Sequence, residues 1–507
     1  MNHAQSGDTT GDSGERILQP QRNCRELCDA ERVAVLRETA DYFDAFARAC
    51  RNARRQILIL GWDFDRHERL YRDDEDRELP DKLGDFLKTL VRQRPQLEVY
   101  LLTWDFSMIY AAERELLPAL RMRLSAPRRL HFRLDGEHPP GASQHQKVVV
   151  IDDRLAFVGG VDLSRWRWDT GEHKPDDPRR MDPDGKPYPP FHDLMFMVQG
   201  PVAARLGELA RERWRRSSGR RLPAPPAGTT DPWPGNYEAE LRNVQVAIAR
   251  TEPAHQGRAE VREVERLYLD AIAAAERRVY IENQYFTSHA LTGALAGRLA
   301  EERGPDVVLV LPKQTGGWLE QVTMDVLRGR EVARLRAADR HDRLRIYYPH
   351  QPGLGDTCIS VHAKLLIVDD RLLRIGSSNT SNRSMGLDTE CDLALEAVGA
   401  DADQTRAYID RLRRGLLAEH LDCDPEQVAR AESEHGRLIA AIESLRDDRG
   451  RSLRPLDTEV SAELDALVPD AGVLDPDEPV NPEYFLTEYV PEEGRPAGQR
   501  RLLVFSG

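Results

Sequence analysis

Residues 145–152 read HQKVVVID and residues 362–369 read HAKLLIVD. Both stretches place a lysine two residues after a histidine and an aspartate five residues after the lysine, and the copies start 217 positions apart. A repeat at this distance is typical of two duplicated half-domains and is too long for a solenoid repeat. The shared positions are His145, Lys147 and Asp152 in the first copy and His362, Lys364 and Asp369 in the second.

Each signature predicts a strand that begins at a polar pair and continues into the protein interior. A histidine and a lysine two residues apart project from the same face of a strand, and the apolar runs that follow are typical of strands covered on both faces. Both copies then turn through DDRL and enter a second strand, AFVGGVD at 156–162 and LRIGSSN at 373–379. Glycine and small polar residues at a strand end allow backbone amides to approach an anion closely.

Strand and helix patterns alternate along the chain, which favours an α/β fold. Residues 30–55 have helical periodicity, and residues 97–105 and 306–312 read as buried strands. Four more segments are predicted to be helices, namely 116–126, 291–302, 407–421 and 427–447.

One stretch rich in proline and glycine, at residues 220–236, lies between the two signatures and predicts a linker between two lobes. A second irregular stretch, at 169–190, is interpreted either as an ordinary surface loop or as a loop that shapes entry to a site. The predicted domain plan has five parts: a polar N-terminal lead-in (1–29), a first lobe (30–219), the linker (220–236), a second lobe (237–425), and a C-terminal helix with an acidic tail (426–507).

The two signatures resemble the paired signature of the phospholipase D superfamily, and the similarity extends over about residues 30–425. It implies two pseudo-symmetric α/β/α lobes with one active site at their interface. It also implies an enzyme without a cofactor or metal ion, and the sequence has no Cys/His cluster or calcium-type loop that would bind one. The further matching segments are ILGWDFD (59–65), FHDLMFMVQGPVAARL (191–206), IENQYF (281–286) and GSSNTSNRSMGLDTE (376–390).

Phosphodiester cleavage explains why two histidines and two lysines are needed. A neutral imidazole attacks phosphorus and forms a phosphohistidine, while a protonated imidazole gives its proton to the leaving oxygen and then acts as a base on water. By resemblance to the family, His145 is assigned as the nucleophile and His362 as the general acid. Cationic and polar donors stabilise the phosphate charge. The resemblance assigns this role to Lys147 and Lys364, with Asn379 and, more weakly, Ser377 as further donors.

Each histidine also needs a carboxylate on its other ring nitrogen to fix the tautomer. Asp152 and Asp369 belong to the signatures and are included in the predicted catalytic set. A straight strand, at about 3.3 Å per residue, would place each of them roughly 20 Å from its own histidine. We therefore interpret them as structural residues and expect Glu390 and Asp193 to orient the histidines.

These features predict a phospholipase D-type phosphodiesterase that hydrolyses a glycerophospholipid to phosphatidic acid and a free headgroup, with possible transfer to an alcohol. Two alternatives remain open: a phosphatidyltransferase that resembles cardiolipin synthase, and a nucleic-acid phosphodiesterase. The net charge is −14, and residues 456–507 carry 12 acidic residues against three arginines. A nucleic-acid partner is disfavoured because no broad basic patch with interleaved aromatic residues occurs.

The expected partner is phospholipid at a membrane surface, and the protein is expected to be a monomer. No run of 18 apolar residues predicts a membrane span, and the N-terminus lacks the apolar core of a signal peptide. The expected location is therefore the cytoplasm or the inner membrane surface.

Overall fold

The computed structural model of the protein describes residues 16–72, 78–105, 127–226, 228, 230–315, 318–461, 465, 468 and 475–479. The helix predicted at 116–126 lies outside these residues, as does most of the acidic tail.

The first half of the chain, up to residue 236, forms strands and helices in an alternating order. Its strands are β1 (Glu26–Leu36), β2 (Gln56–Gly61), β3 (Glu98–Trp104), β4 (Leu130–Asp135), β5 (Val148–Ile151), β6 (Leu155–Gly159), β7 (Phe191–His192) and β8 (Met195–Gln199). Its helices are α1 (Thr39–Asn52), α2 (Leu83–Gln93) and α3 (Pro201–Ser218).

The second half, from residue 237 onwards, repeats this order. Its strands are β9 (Leu241–Glu252), β10 (Val261–Arg262), β11 (Arg278–Asn283), β12 (Asp306–Val310), β13 (Leu344–His350), β14 (Ser360–Val361), β15 (Lys364–Val368), β16 (Leu372–Gly376), β17 (Glu390–Glu396) and β18 (Ser452–Pro455). Its helices are α4 (Glu263–Ala274), α5 (His289–Ala300), α6 (Trp318–Ala338), α7 (Asn382–Gly386), α8 (Ala402–Leu421), α9 (Pro425–His435) and α10 (Leu438–Leu445), with a short 3₁₀ turn at Gly399–Asp401.

Both halves contribute to a single mixed sheet that is pseudo-symmetric about its centre. Its strand order is β18-β13-β12-β11-β15-β16-β17-β9-β1-β8-β6-β5-β2-β3-β4, with β10 attached to β9. The antiparallel pair β1·β9 joins the halves, and β2-β3-β4 and β11-β12-β13 are the two parallel arms. Each signature strand, β5 or β15, pairs antiparallel with the first strand of its arm.

Helices cover both faces of the sheet. On one face, α3 of the first half and α8 of the second pack on one hydrophobic cluster that runs across both halves. On the other face, α1 and α2 cover a cluster in the first half, and α4, α5 and α6 cover one in the second. The predicted α/β class with two pseudo-symmetric halves is confirmed.

Several boundaries differ from the sequence-based plan. Residues 30–55 are not one helix, because β1 continues to Leu36 and α1 begins only at Thr39. β1 also starts within the expected lead-in, where Ile17 and Leu18 are buried and donate their backbone N–H groups to the Glu396 carboxylate. Strand β1 and helix α1 each have a buried and an exposed face, so hydrophobic periodicity alone does not show where the strand ends and the helix begins.

The C-terminal region also differs from the prediction. The helix expected at 427–447 is two helices, α9 and α10, because Gly436 adopts φ +69° and ends α9. Strand β18 then adds to the sheet edge beside β13. In the linker stretch, Trp233 is buried in the first-half cluster and donates its indole N–H to the Tyr237 carbonyl.

The two signature aspartates hold the start of the neighbouring strand in each half. Asp152 accepts hydrogen bonds from three successive backbone N–H groups at the start of β2, at 2.6 to 2.8 Å. Asp369 accepts three equivalent bonds at the start of β11, at 2.5 to 2.8 Å. Both have φ near +54° at the hairpin turn, which aspartate tolerates better than most residues.

Replacing Asp369 by asparagine is expected to lower the free energy of unfolding by about 3 kcal/mol, because the amide loses the charge and one of its two acceptor oxygens. Asp152→Asn is the matched variant and is expected to have a similar effect through β2. Thermal unfolding measures the loss, and turnover assayed on the folded fraction is expected to change little. A variant with unchanged melting temperature and no activity would contradict this role.

Candidate active site

The two signature histidines are each held by a carboxylate from the opposite half. His145 Nδ1 lies 3.0 Å from both carboxylate oxygens of Glu390. His362 Nδ1 lies 2.6 Å from Asp193 Oδ2. Because each acid contacts Nδ1, the opposite nitrogen, Nε2, points away from the acid. The arrangement therefore forms two crossed imidazole–carboxylate pairs.

Short parallel pairings between the halves produce this exchange. The segment before His362, strand β14, pairs with β7, which directly precedes Asp193. Likewise, Gln144 forms a parallel bridge with Thr389, which directly precedes Glu390. Each histidine-bearing segment therefore runs beside the acid-bearing segment of the other half.

Burial differs between the rings and their acids. The side chains of His145 and His362 are 15% and 9% exposed, whereas Glu390 and Asp193 are fully buried. A ligand can therefore reach the imidazoles while water is kept from the acids. The rings are close enough for His145 to lower the pKa of His362 electrostatically.

Burial is the main cause of the pKa shifts in both pairs. Burial, with Lys147 and Lys364 nearby, lowers the pKa of His145 well below its usual value, and the same cations act on His362. Burial raises the pKa of Asp193 to about 7 and also raises that of Glu390. Burial therefore favours the neutral form of both partners of the His362–Asp193 pair.

The two lysines lie in different electrostatic surroundings. Lys147 is ion-paired with Asp162 at 3.1 Å, and both side chains are buried. Lys364 instead donates to the neutral amide oxygen of Gln284 at 3.1 Å. Burial lowers the pKa of Lys364 to about 7, with Lys147 contributing and Asp193 opposing the shift. The second half therefore offers the less compensated cation to an anionic ligand.

Small residues at the ends of β6 and β16 allow the two orienting acids, Asp193 and Glu390, to pack closely against the backbone. A Cβ atom on Gly160 would lie 2.4 Å from both carboxylate oxygens of Asp193, so only glycine allows this acid to approach. At the equivalent position of the second half, Ser377 donates its hydroxyl to Glu390, as does Ser384. Ser377 was predicted as a weaker phosphate donor; its hydroxyl holds Glu390 in this structure, and its contact with phosphate stays a prediction.

Asn379, the other predicted phosphate donor, is nearly buried, and its Oδ1 atom has no hydrogen-bond partner within the described residues. A buried amide with an unsatisfied end can turn toward a ligand. Asp152 and Asp369 are not brought to the site: they lie at the far ends of β5 and β15, where they bind backbone amides. Their inclusion in the predicted catalytic set is therefore corrected.

Several residues at the site were not anticipated from the sequence. Asp162 and Gln284 contact the two lysines, and Arg167 acts electrostatically on both His362 and Lys364. Asp475 from the C-terminal region is buried and accepts bonds from the first backbone amides of α7. A comparison of the repeats contains one signal for this residue: Asp162 lies 15 residues after Lys147, at the place where the second half has Asn379, 15 residues after Lys364.

Comparison with known proteins gives consistent similarities. A family model described as a cardiolipin synthase, phospholipase D-like domain matches residues 268–413. Phospholipase D A of Dictyostelium discoideum is 27% identical over 422 residues, covering 70% of this chain and 32% of that protein. Cardiolipin synthase A of Yersinia pseudotuberculosis is 26% identical over 283 residues, covering 54% of this chain and 49% of that protein. This chain thus spans half or less of these relatives' length.

Among solved structures, phosphatidylserine synthase of Haemophilus influenzae Rd KW20 superposes with a TM-score of 0.53 at 15% identity. The match covers 83% of this chain and 96% of that one, and at this identity it concerns the fold. Within the described residues, no helix combines the length and apolar character needed to cross a membrane.

Proposed function

The chain belongs to the phospholipase D superfamily, and we propose that it is a phosphodiesterase that hydrolyses glycerophospholipids to phosphatidic acid and a free headgroup. The observation that carries this proposal is the pair of crossed imidazole–carboxylate contacts, together with two buried lysines that are close enough to lower the pKa of both histidines. One imidazole can attack phosphorus while the other supplies a proton to the leaving group.

In the first step, Nε2 of His145 attacks the phosphorus atom and the bond to the headgroup oxygen breaks. Glu390 accepts the Nδ1 hydrogen bond and stabilises the positive charge that develops on the ring. His362 gives its Nε2 proton to the leaving oxygen. A bound phosphodiester anion opposes the charges of Lys147 and Lys364 and so favours the protonated form of His362 at this stage.

In the second step, His362 takes a proton from water, and the water oxygen attacks the phosphorus of the phosphohistidine. The bond to His145 breaks, and phosphatidic acid is released. Lys364 and Lys147, with the amide of Asn379, stabilise the charge on the non-bridging oxygens in both steps. An alcohol that replaces water in this step gives a transfer product.

A second candidate is transfer of a phosphatidyl group to another lipid. It is favoured by the family model over residues 268–413, whose description names cardiolipin synthase. The two activities share the first step and differ in the acceptor of the second. The acceptor therefore distinguishes them experimentally.

The test is incubation of the purified protein with vesicles of phosphatidylcholine, phosphatidylethanolamine and phosphatidylglycerol, with and without ethanol, followed by lipid mass spectrometry. Hydrolysis predicts phosphatidic acid, and phosphatidylethanol when ethanol is present. Cardiolipin as the main product would favour the transferase, and cleavage of DNA in a parallel assay without any lipid product would favour a nuclease. The matched control is His145→Ala, which is expected to give none of these products.

We expect kcat/KM to fall above about pH 7, because Lys364 in the free enzyme then loses the positive charge that binds phosphate. Arg167 is one of the cations that lower this pKa. Arg167→Met is therefore expected to raise the pKa of Lys364 and move the alkaline limb to higher pH. Arg165→Met is the control, because Arg165 pairs with Asp65. An unchanged limb in Arg167→Met would contradict this assignment.

A further inference from the structure

A second group of buried histidines and carboxylates lies behind the active site. It consists of His173, His192 and Glu419, and we call it the histidine cluster. His173 lies in the irregular stretch at 169–190, His192 ends β7, and Glu419 lies on α8 of the second half. Both histidine side chains are fully buried, and Glu419 is 11% exposed. The reaction proposed above uses none of these three residues.

Three potential ligand atoms converge in this cluster. Glu419 Oε1 lies 3.1 Å from His173 Nε2 and 3.3 Å from His192 Nδ1, and all three atoms lie within 4.8 Å of one another. Tetrahedral zinc, with bonds of about 2.0 to 2.2 Å, separates neighbouring ligand atoms by about 3.3 Å. The oxygen–nitrogen distances therefore fit ligands that share one metal ion.

The other nitrogen of each ring is held by a separate buried carboxylate. His173 Nδ1 lies 2.8 Å from Asp169, and His192 Nε2 lies 2.6 Å from Glu282. Metal-binding histidines usually donate their second ring N–H in this way, which fixes the tautomer and leaves a lone pair for the metal. In both rings, the remaining nitrogen faces Glu419.

An unsatisfied nitrogen supports the same interpretation. His192 Nδ1 is fully buried and makes no hydrogen bond within the described residues, although it points at Glu419. A buried polar atom of this kind carries a cost unless something satisfies it.

We propose that His173, His192 and Glu419 bind a divalent transition-metal ion of the zinc type, which joins the two halves of the protein. Two imidazoles and one carboxylate favour zinc over calcium or magnesium, which prefer oxygen ligands. Because His192 directly precedes Asp193, the ion fixes the strand that presents this acid to His362. Its role is structural, and the proposal does not depend on the substrate of the active site.

Nothing in the local sequence predicts this site. His173 and His192 are 19 residues apart, and Glu419 is more than 200 residues further along the chain. No local spacing of the kind that identifies zinc fingers is present, so only the pairing of β7 with β14 and the packing of α8 bring the ligands together.

The test uses the full-length protein, first treated with EDTA and then dialysed with or without ZnCl₂. Bound metal is measured by mass spectrometry, and stability by thermal unfolding. We expect about one zinc ion per chain and a melting temperature several degrees higher with zinc than with EDTA, since a ligand that binds the folded state stabilises it. CaCl₂ is the control salt and is expected to leave the melting temperature unchanged.

Two substitutions locate the ion. Glu419→Gln is expected to lose the bound zinc and the zinc-dependent rise in melting temperature. His420→Gln is the control: His420 is fully buried and contacts Glu282, but it is not one of the three ligands. Retention of zinc by Glu419→Gln, or its loss only in His420→Gln, would overturn the assignment.

X-ray absorption of the zinc-loaded parent protein provides a readout that does not require a stable variant. It is expected to show nitrogen and oxygen ligands, with the scattering pattern of two imidazoles. A parent protein that binds no zinc, and whose melting temperature is the same in zinc and in EDTA, would show that the cluster is an ion-pair network alone. A spectrum without imidazole scattering would also overturn the proposal.

Discussion

Replacing His145 by alanine is expected to abolish the phosphoenzyme and to lower turnover by about 10⁴-fold or more, because the nucleophile is lost. Replacing His362 by alanine is expected to lower turnover of a phospholipid by about 10²- to 10⁴-fold, the usual contribution of a general acid. The activities of the two variants are expected to differ most with a p-nitrophenyl phosphodiester as the substrate. Its leaving group needs no proton, so His362→Ala is expected to release one equivalent of p-nitrophenol rapidly, whereas His145→Ala releases none.

Rapid-quench kinetics measures this burst, and mass spectrometry of the trapped protein locates the phosphoryl group. The expected site is the peptide that contains His145. His131→Ala is the matched control. His131 also contacts a carboxylate, that of Glu98 at 2.7 Å, but it lies outside the site. This variant is expected to behave as the parent protein. A burst in His145→Ala, with the phosphoryl group on His362, would reverse the two roles.

The sequence predicted the composition of this site but not its connections. The repeated signature identified both histidines and both lysines, and the acidic residues after the glycine segments were expected to orient the rings. What the sequence did not contain was the exchange between halves, in which Glu390 holds His145 and Asp193 holds His362. That exchange depends on the parallel pairing of β7 with β14, two strands of only two residues each. Such short pairings have no periodic pattern.

The fold was likewise predicted in part from the sequence. Long apolar strands such as β3 and β12 were predicted because their buried positions form a continuous run. Strand β1 was not predicted, because its pattern of buried and exposed residues resembles the amphipathic pattern of helix α1, which follows it. Buried polar contacts such as Lys147 with Asp162 were also missed, because a single charged residue after a strand has the same appearance whether it faces water or a buried partner.

The orienting acids give the second large effect. Asp193 Oδ1 accepts the backbone N–H of Leu194 at 2.7 Å, which leaves Oδ2 for His362. In Asp193→Asn, the amide oxygen is expected to keep the Leu194 bond, so the amide NH₂ faces His362 Nδ1. The ring proton then moves to Nε2, and His362 can no longer accept a proton from water.

Asp193→Asn is therefore expected to slow turnover by about 10²- to 10³-fold and to accumulate phosphoenzyme with the p-nitrophenyl substrate, since attack by His145 is retained. Glu390→Gln is the matched variant. The same change of tautomer blocks attack by His145, so it is expected to give no burst. Quenched-flow amplitudes separate the two, and equal bursts in both variants would contradict the crossed assignment.

Stability against pH shows whether these variants fail because they are unfolded. Burial raises the pKa of Asp193 from 3.8 to about 7. A carboxyl group with a raised pKa in the folded state contributes stability that is complete below about pH 4 and is lost as the pH rises through about 7. Asp193→Asn removes this loss, so at pH 8 it is expected to melt at or above the temperature of the parent protein. A much lower melting temperature at pH 8 would mean that the charged form of Asp193, held by Lys364 and His362, supports the fold as well as the reaction.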